Sequence, residues 1–480
     1  MDDPTRASVD ELSAAYAVGT LSPVEVARAH LDVIAARDPE LHAFVLVDPD
    51  RALGDARESE RRWRSGAARG KLDGVPTSVK DLSMVTGWPT RKGSLSTSDA
   101  PDTVDSAVVS RLREAGATLL GKTTTPELGW KGLCDSPLTG ETRNPWDPSR
   151  TPGGSSGGAA VAAITGMATL HVGSDGGGSI RMPSAFCGAF GLKATHATVA
   201  LSPPGGSGLL SHVGPITRSV RDCAHMMSAI AVPDPREIYP TRRDDRSWLD
   251  GIEDGVAGLR IAYSPAYGGT PVDPQIAAAV ERTVMLLADL GAHVEVADPG
   301  HPDCRDAFLV LWDSAMGRIV DGLTTEQRAA LDPGLIATWQ RGRGLSAYDV
   351  VAADAVRGQA TLTFNRLLTS YDLLVSPTVP LLAFPLGSDV ADPTTQEHWI
   401  DWTPFTYPLN MTRHPAVAVP IGLSREGLPM SMQIVGRHFD DRLVVRAARA
   451  IELAQPFPTL SRREPTPADA ATRPQVTRSG

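Results

Sequence analysis

Asn144-Pro-Trp-Asp-Pro-Ser-Arg-Thr-Pro-Gly-Gly-Ser-Ser-Gly-Gly158 resumes after an apolar run as Gly173-Ser-Asp-Gly-Gly-Gly-Ser-Ile-Arg181. Two glycine/serine clusters therefore bracket one small-residue segment, Ala159–Met167, and one short apolar run, Leu170–Gly173. The first reads as a helix and the second as a buried strand. Glycine has no Cβ, so it permits positive φ and close backbone approach. Gly176-Gly177-Gly178 leading into Ser179 can aim several N–H groups into one concavity, which suits an anion such as the oxyanion of acyl transfer. A flexible linker fits poorly, because these glycines lie between apolar elements.

The same alternation extends in both directions. Upstream, Val75–Val79 reads as a strand, Val104–Ala115 as a helix and Ala117–Leu120 as a strand. Downstream, Leu259–Tyr263, Pro274–Leu290 and His293–Val296 form a β-α-β unit, and Asp372–Ser376, Ala416–Pro420 and Met430–Val435 are further strand-like runs. Continuous apolar strands between amphipathic helices predict an α/β fold: one large domain with a central mixed, mostly parallel sheet covered by helices. The first 65 residues read as helical apart from a strand at His42–Val47. Ser8-x-x-Glu11 and Ser22-Pro23-x-Glu25 have the form of capping boxes. The domain is expected over residues 1–463, with N-terminal helices to about residue 65 and a catalytic core at about 70–225. Pro233–Trp248 is expected to be a surface loop, and Glu464–Gly480, rich in Pro, Thr and Arg, a disordered tail.

Hydrophobic residues make up 41% of the chain and charged residues 21%, as in a folded globular protein. A net charge of −10 argues against a nucleic-acid binder. The acidic N-terminus does not read as a secretory signal, so none is expected, and no apolar run approaches the roughly 20 residues that cross a bilayer. The expected location is cytoplasmic, with Cys134, Cys187, Cys223 and Cys304 as buried thiols and Asn410-Met411-Thr412 an accidental sequon. Of 46 basic residues only six are lysines, and all six lie between Lys71 and Lys193. A buried lysine can lose its proton, whereas arginine cannot.

Three local patterns mislead. Gly153-Gly-Ser-Ser-Gly157 fits the nucleophile elbow G-x-S-x-G, but a proline-rich loop precedes it where a strand end is needed. Gly116-Ala-Thr-Leu-Leu-Gly-Lys-Thr123 fits the Walker A spacing, but its loop positions read as a strand and Pro126 follows. His171 sits inside an apolar strand, and none of the 11 histidines has a catalytic context.

Taken together, the segments resemble the amidase signature family. Leu72-Asp-Gly-Val-Pro-Thr-Ser-Val-Lys-Asp81 is similar to its lysine motif, and the two glycine/serine clusters to its signature. Gly121-Lys-Thr-Thr-Thr-Pro-Glu127 and Gly427-Leu-Pro-Met-Ser-Met-Gln-Ile-Val-Gly436 also resemble family segments, and the likeness spans residues 5–460. It implies a Ser–cisSer–Lys triad, with Lys80 as base, Ser155 as bridge after a cis Gly154–Ser155 peptide, and Ser179 as nucleophile. It further implies an oxyanion hole from the N–H groups of Gly176, Gly177, Gly178 and Ser179, with Ser156, Asp175 and Arg181 in support, and neither metal nor cofactor. A lysine acting as base near pH 7.5 requires burial to lower its pKa by roughly three, about 4 kcal/mol.

The expected reaction is C–N hydrolysis of amides through an acyl-enzyme, with anilides and carbamates (urethanes) in range. The expected partners are a small-molecule amide or carbamate substrate and a second copy in a homodimer, with no nucleic acid and no membrane. The substrate walls are expected within Trp130–Asp135, Leu201–Ser211 and Cys304–Leu345, where Leu311, Trp312 and Met316 suggest an aryl-accepting pocket. The alternative is the A-type component of a glutamine-dependent tRNA amidotransferase complex.

Overall fold

A computed structural model describes residues 3–239 and 246–460. Both capping boxes form at the N-terminus. Ser8 caps the helix Val9–Val18 and Ser22 caps Pro23–Leu41, with Glu11 and Glu25 answering to the cap N–H groups. A third helix, Pro49–Arg64, completes this helical layer.

Among the described residues thirteen strands follow one another: β1 Phe44–Val47, β2 Pro76–Lys80, β3 Thr118–Thr123, β4 Asp135–Ser136, β5 Gly140–Glu141, β6 Leu170–Asp175, β7 Phe190–Lys193, β8 His212–Thr217, β9 Arg260–Tyr263, β10 His293–Val296, β11 Leu373–Pro377, β12 Ala416–Leu423 and β13 Pro429–Gly436. Strands β4 and β5 make a small separate ribbon. The other eleven form one sheet in the order β1-β3-β2-β6-β8-β7-β12-β13-β11-β9-β10. Every residue of β2, β3, β11 and β13 is buried, so helices cover both faces, as the apolar runs imply.

The α/β class and the single large sheet are as expected, but the balance of strand directions is not. The pairs β2/β3, β2/β6, β9/β10 and β9/β11 are parallel. The pairs β1/β3, β6/β8, β7/β8, β7/β12, β12/β13 and β11/β13 are antiparallel and outnumber them. Strands β7 and β8, unmarked by any apolar run in the sequence, supply much of the difference.

The parallel trio β3-β2-β6 positions the site. Lys80 ends β2 and Asp175 ends β6, so both side chains stand at the carboxyl ends of neighbouring parallel strands. Ligand crevices in α/β sheets open at those ends. Helix Gly157–Thr165 is buried at all positions, and its alanines and glycines let it pack close to the sheet. Helices Arg305–Asp321, Pro333–Arg343 and Ala347–Ser370 pack with the 3-10 turn Trp399–Trp402 around a second apolar cluster that includes Phe308, Trp312, Trp399 and Trp402.

Residues 240–245 of the expected surface loop and all of the expected tail lie outside the described residues. Asn410 is fully buried, so the sequon is closed to glycosylation. All four cysteines are free and buried. Among the described residues no helix is long and apolar enough to cross a membrane.

Candidate active site

Lys80 is fully buried, and its hydrogen-bond partners are hydroxyls rather than carboxylates. Nζ lies 2.7 Å from Ser155 Oγ, 2.9 Å from Ser156 Oγ and 3.0 Å from Ser174 Oγ. Burial pushes the amine down to about 7, because low-dielectric surroundings penalise its charged form. The other buried lysines differ from it. Lys122 pairs with Asp81 at 2.8 Å, and Lys131 pairs with Asp135 and Asp389, both at 2.8 Å. Lys193 is also lowered to about 7 by burial, but it donates to the carbonyl of His414 and, among the described residues, has no hydroxyl partner. A depressed pKa alone therefore does not single out Lys80; the hydroxyls around it do.

The Gly154–Ser155 peptide is cis. Ser155 and Ser179, both almost fully buried, line one cavity together with Ser174, Asp175 and Gly176. The two segments are stitched by their backbones, since the Ser156 N–H donates to the Ser179 carbonyl at 3.1 Å. Among the described residues no hydrogen bond joins Ser155 Oγ to Ser179 Oγ, and such contacts commonly tighten only around substrate. Ser156 braces the opposite strand: its Oγ donates to the Ser174 carbonyl at 3.0 Å and accepts from the Ser174 N–H at 3.2 Å.

The glycine loop is held by one buried ion pair. Arg181 donates from Nε and Nη2 to the two carboxylate oxygens of Asp175, each at 3.0 Å. Asp175 also accepts from the N–H groups of Gly178 at 2.7 Å and Ile180 at 3.1 Å, and from Asn410 Nδ2 at 2.8 Å. Burial alone would raise this carboxyl, but the Arg181 charge and these donors outweigh it and hold it well below the usual carboxylate range. The Gly178 N–H is thereby committed to Asp175. The N–H groups of Gly176, Gly177 and Ser179 have no protein acceptor among the described residues, which narrows the expected oxyanion donors to these three. Gly178 has φ 130, and a Cβ there would run into Thr406, so the loop admits only glycine at that position.

The cavity has a volume of about 200 Å³. Its walls include Leu201 to Ser207 and the side chains of Trp312, Met316 and Ile319. Two of the three wall segments expected from sequence therefore contribute. Residues Trp130–Asp135 do not; Lys131, Cys134 and Asp135 line a separate hollow. The Trp130 carbonyl instead accepts from Trp312 Nε1 at 3.0 Å and so braces that wall from behind. A larger groove of about 660 Å³ lies along β1 and contains neither Lys80 nor the serines.

Sequence reasoning missed Ser174, although it stands in the glycine-rich motif next to Asp175. It also missed Thr406, Asn410 and Gln433. Arg181 Nη1 donates to the Thr406 carbonyl at 3.0 Å and Gln433 Oε1 at 2.8 Å, and Nη2 donates to Asn410 Oδ1 at 2.7 Å. His171 is packed, as expected: Nδ1 meets Ser78 Oγ at 2.7 Å and burial lowers the ring to about 3. Among the described residues no group of three or more His, Cys, Asp or Glu side chains is arranged to hold a metal ion.

The sequence profile of the Amidase family matches residues 25–445. An acylamidase of Rhodococcus erythropolis is 38% identical over 458 residues, covering 94% of this chain and 96% of that protein. The A-type component of the glutamyl-tRNA(Gln) amidotransferase of Acidothermus cellulolyticus is 36% identical over 484 residues, covering 95% of each. The crystal structure of a bacterial aryl acylamidase superposes with a TM-score of 0.88 at 31% identity, covering 94% of this chain and 96% of that one. With the family profile and these relatives spanning nearly its whole length, the chain belongs to the amidase signature family of hydrolases.

Proposed function

We propose that the protein is a free-standing amide hydrolase, with anilides and aryl carbamates in range, working through an acyl-enzyme on Ser179. The observation that carries this reading is the buried Lys80 amine set among hydroxyls, two of which, Ser155 and Ser174, line the cavity. Neutral Lys80 takes a proton from Ser155 while Ser155 takes one from Ser179. The Ser179 Oγ then attacks the carbonyl carbon, and the N–H groups of Gly176, Gly177 and Ser179 receive the oxyanion. The relay returns its proton to the leaving amine as the C–N bond breaks, and water attacking the acyl-enzyme frees the acid.

The likeness to an acylamidase and an aryl acylamidase favours amides with an aromatic or aliphatic leaving amine. A second reading, the A-type component of a glutamine-dependent tRNA amidotransferase, is favoured by the 36% identity to one such protein. That role needs partner chains.

The test is amine release by the purified chain alone from a 4-nitroanilide amide and the matching aryl carbamate, followed across pH. Lys80 is a base only once deprotonated, so kcat/KM is expected to rise with pH through about 7 and level off above it. Lys80→Arg is expected to abolish this limb, because a guanidinium stays protonated. Release of neither amine, with activity appearing only when partner chains co-purify, would favour the transamidation reading.

A further inference from the structure

Of the side chains lining the cavity among the described residues, only Lys92, Asp175 and His212 are ionisable. Asp175 is neutralised by Arg181. His212 is buried at the start of β8, its Nδ1 near the Leu210 carbonyl at 2.9 Å, and burial keeps the ring uncharged. Lys92 is exposed, and among the described residues no carboxylate pairs with it. It is the one uncompensated charge on a wall otherwise made by groups such as Leu201, Pro203, Trp312 and Met316.

The backbone around Lys92 is built to hold that position. Lys92 has φ 53, in the left-handed region that side chains other than glycine rarely adopt. Leu128, also on the cavity wall, has φ 53 too, and its N–H donates to the Lys92 carbonyl at 2.7 Å. Gly129 follows directly, and a Cβ there would stand 3.7 Å from Ser155 Oγ. On the other side, Asp81 accepts from the N–H of Arg91 at 3.2 Å and also from that of Gly93. The rim is thus clamped to the residue after Lys80 and to the segment behind Ser155. Left-handed non-glycine residues concentrate where surroundings over-determine them, commonly at ligand sites.

We infer that Lys92 is a specificity residue that receives a carboxylate carried by the amide substrate, on either its acyl or its amine portion. This rests on the amide-hydrolase reading above. The lining offers a single ammonium and, among the described residues, no second cationic donor, so it matches a substrate with one singly charged group. The chain's net charge of −10 repels anions generally, which makes a local cation decisive for such a substrate.

The test uses two matched pairs of amides with the full chain. In the acyl pair, glutaryl-4-nitroanilide is set against hexanoyl-4-nitroanilide. In the amine pair, the acetyl amide of 4-aminobenzoate is set against that of 4-aminoacetophenone. The readout is the ratio of kcat/KM for the charged member to that for the neutral one. In one of the pairs the ratio is expected to fall about three- to fivefold in Lys92→Met, further in Lys92→Glu, and to fall for wild type as salt is raised. The responding pair identifies the end that bears the carboxylate. Cleavage of the neutral members with the same ratio in wild type and both variants overturns the role of Lys92 and leaves the hydrolase reading standing. No cleavage of any of the four amides by wild type overturns both.

Discussion

Ser179→Ala is expected to lower kcat for anilide hydrolysis by about 10³- to 10⁶-fold, leaving only what transition-state binding contributes without a nucleophile. Lys80→Ala is expected to fall into the same range, because without a buried base neither serine hydroxyl loses its proton. The double variant should be no worse than the poorer single one, since residues that act as a unit lose their effect together. Lys80→Ala is not expected to unfold the chain: it removes an amine whose partners, Ser155, Ser156 and Ser174, are hydroxyls that water can satisfy. The check is a pre-steady-state trace with mass analysis of the acylated peptide. Label on a peptide lacking Ser179, or a Ser179→Ala enzyme retaining a tenth of its activity, would rule out Ser179 as nucleophile.

The second large effect is one of stability. Asp175→Ala leaves Arg181 charged, fully buried and without its carboxylate, and strips Gly178, Ile180 and Asn410 of an acceptor. Breaking a buried pair from one side costs about 3–5 kcal/mol. The chemical-denaturation midpoint should drop accordingly, and kcat should fall with it because the loop Gly176–Ser179 loses its anchor. Asp175→Asn keeps the shape and one acceptor oxygen, so it should lose less stability while still impairing kcat. The sign with pH is set by the direction of the shift. A carboxyl held below its unfolded value contributes stability at neutral pH and loses it as the solution is acidified toward the folded value. The gap between wild type and Asp175→Asn should therefore narrow in acid. A wild-type-like midpoint for Asp175→Ala would mean the ion pair does not hold the loop.

The sequence revealed strand positions better than strand directions, for a physical reason. Buried strands in this sheet read as continuous apolar runs, which mark burial but not polarity. Strands β12 and β13 were visible as two such runs, yet the antiparallel pairing across Ser424–Leu428 was not. Strand β8 was hidden because it carries Gly214 and Pro215 at its centre, residues that ordinarily argue against an interior strand. Short β7 carries Gly191 for a similar loss of signal. Of the candidate site, Lys80, Ser155 and Ser179 stood in linked motifs, so their neighbourhood was legible. Asn410 was not: it reaches Asp175 across 235 residues, and nothing near it in the chain marks it. Lys92 was hidden likewise, since its position depends on a left-handed turn clamped by Leu128 and Asp81.

The scarcity of lysine has a practical side. Lys80, Lys122, Lys131 and Lys193 are buried, which leaves Lys71 and Lys92 as the side-chain amines open to solvent. Lys71 is engaged by Asp10 at 3.3 Å. An exposed ion pair is weak, so among the lysine side chains amine-reactive dyes, cross-linkers and activated beads would couple at Lys71 and at Lys92, the latter on the cavity wall. Enzyme immobilised through Lys92 would be tethered with its entrance against the support, whereas attachment through Lys71 or an added terminal tag would leave the entrance clear.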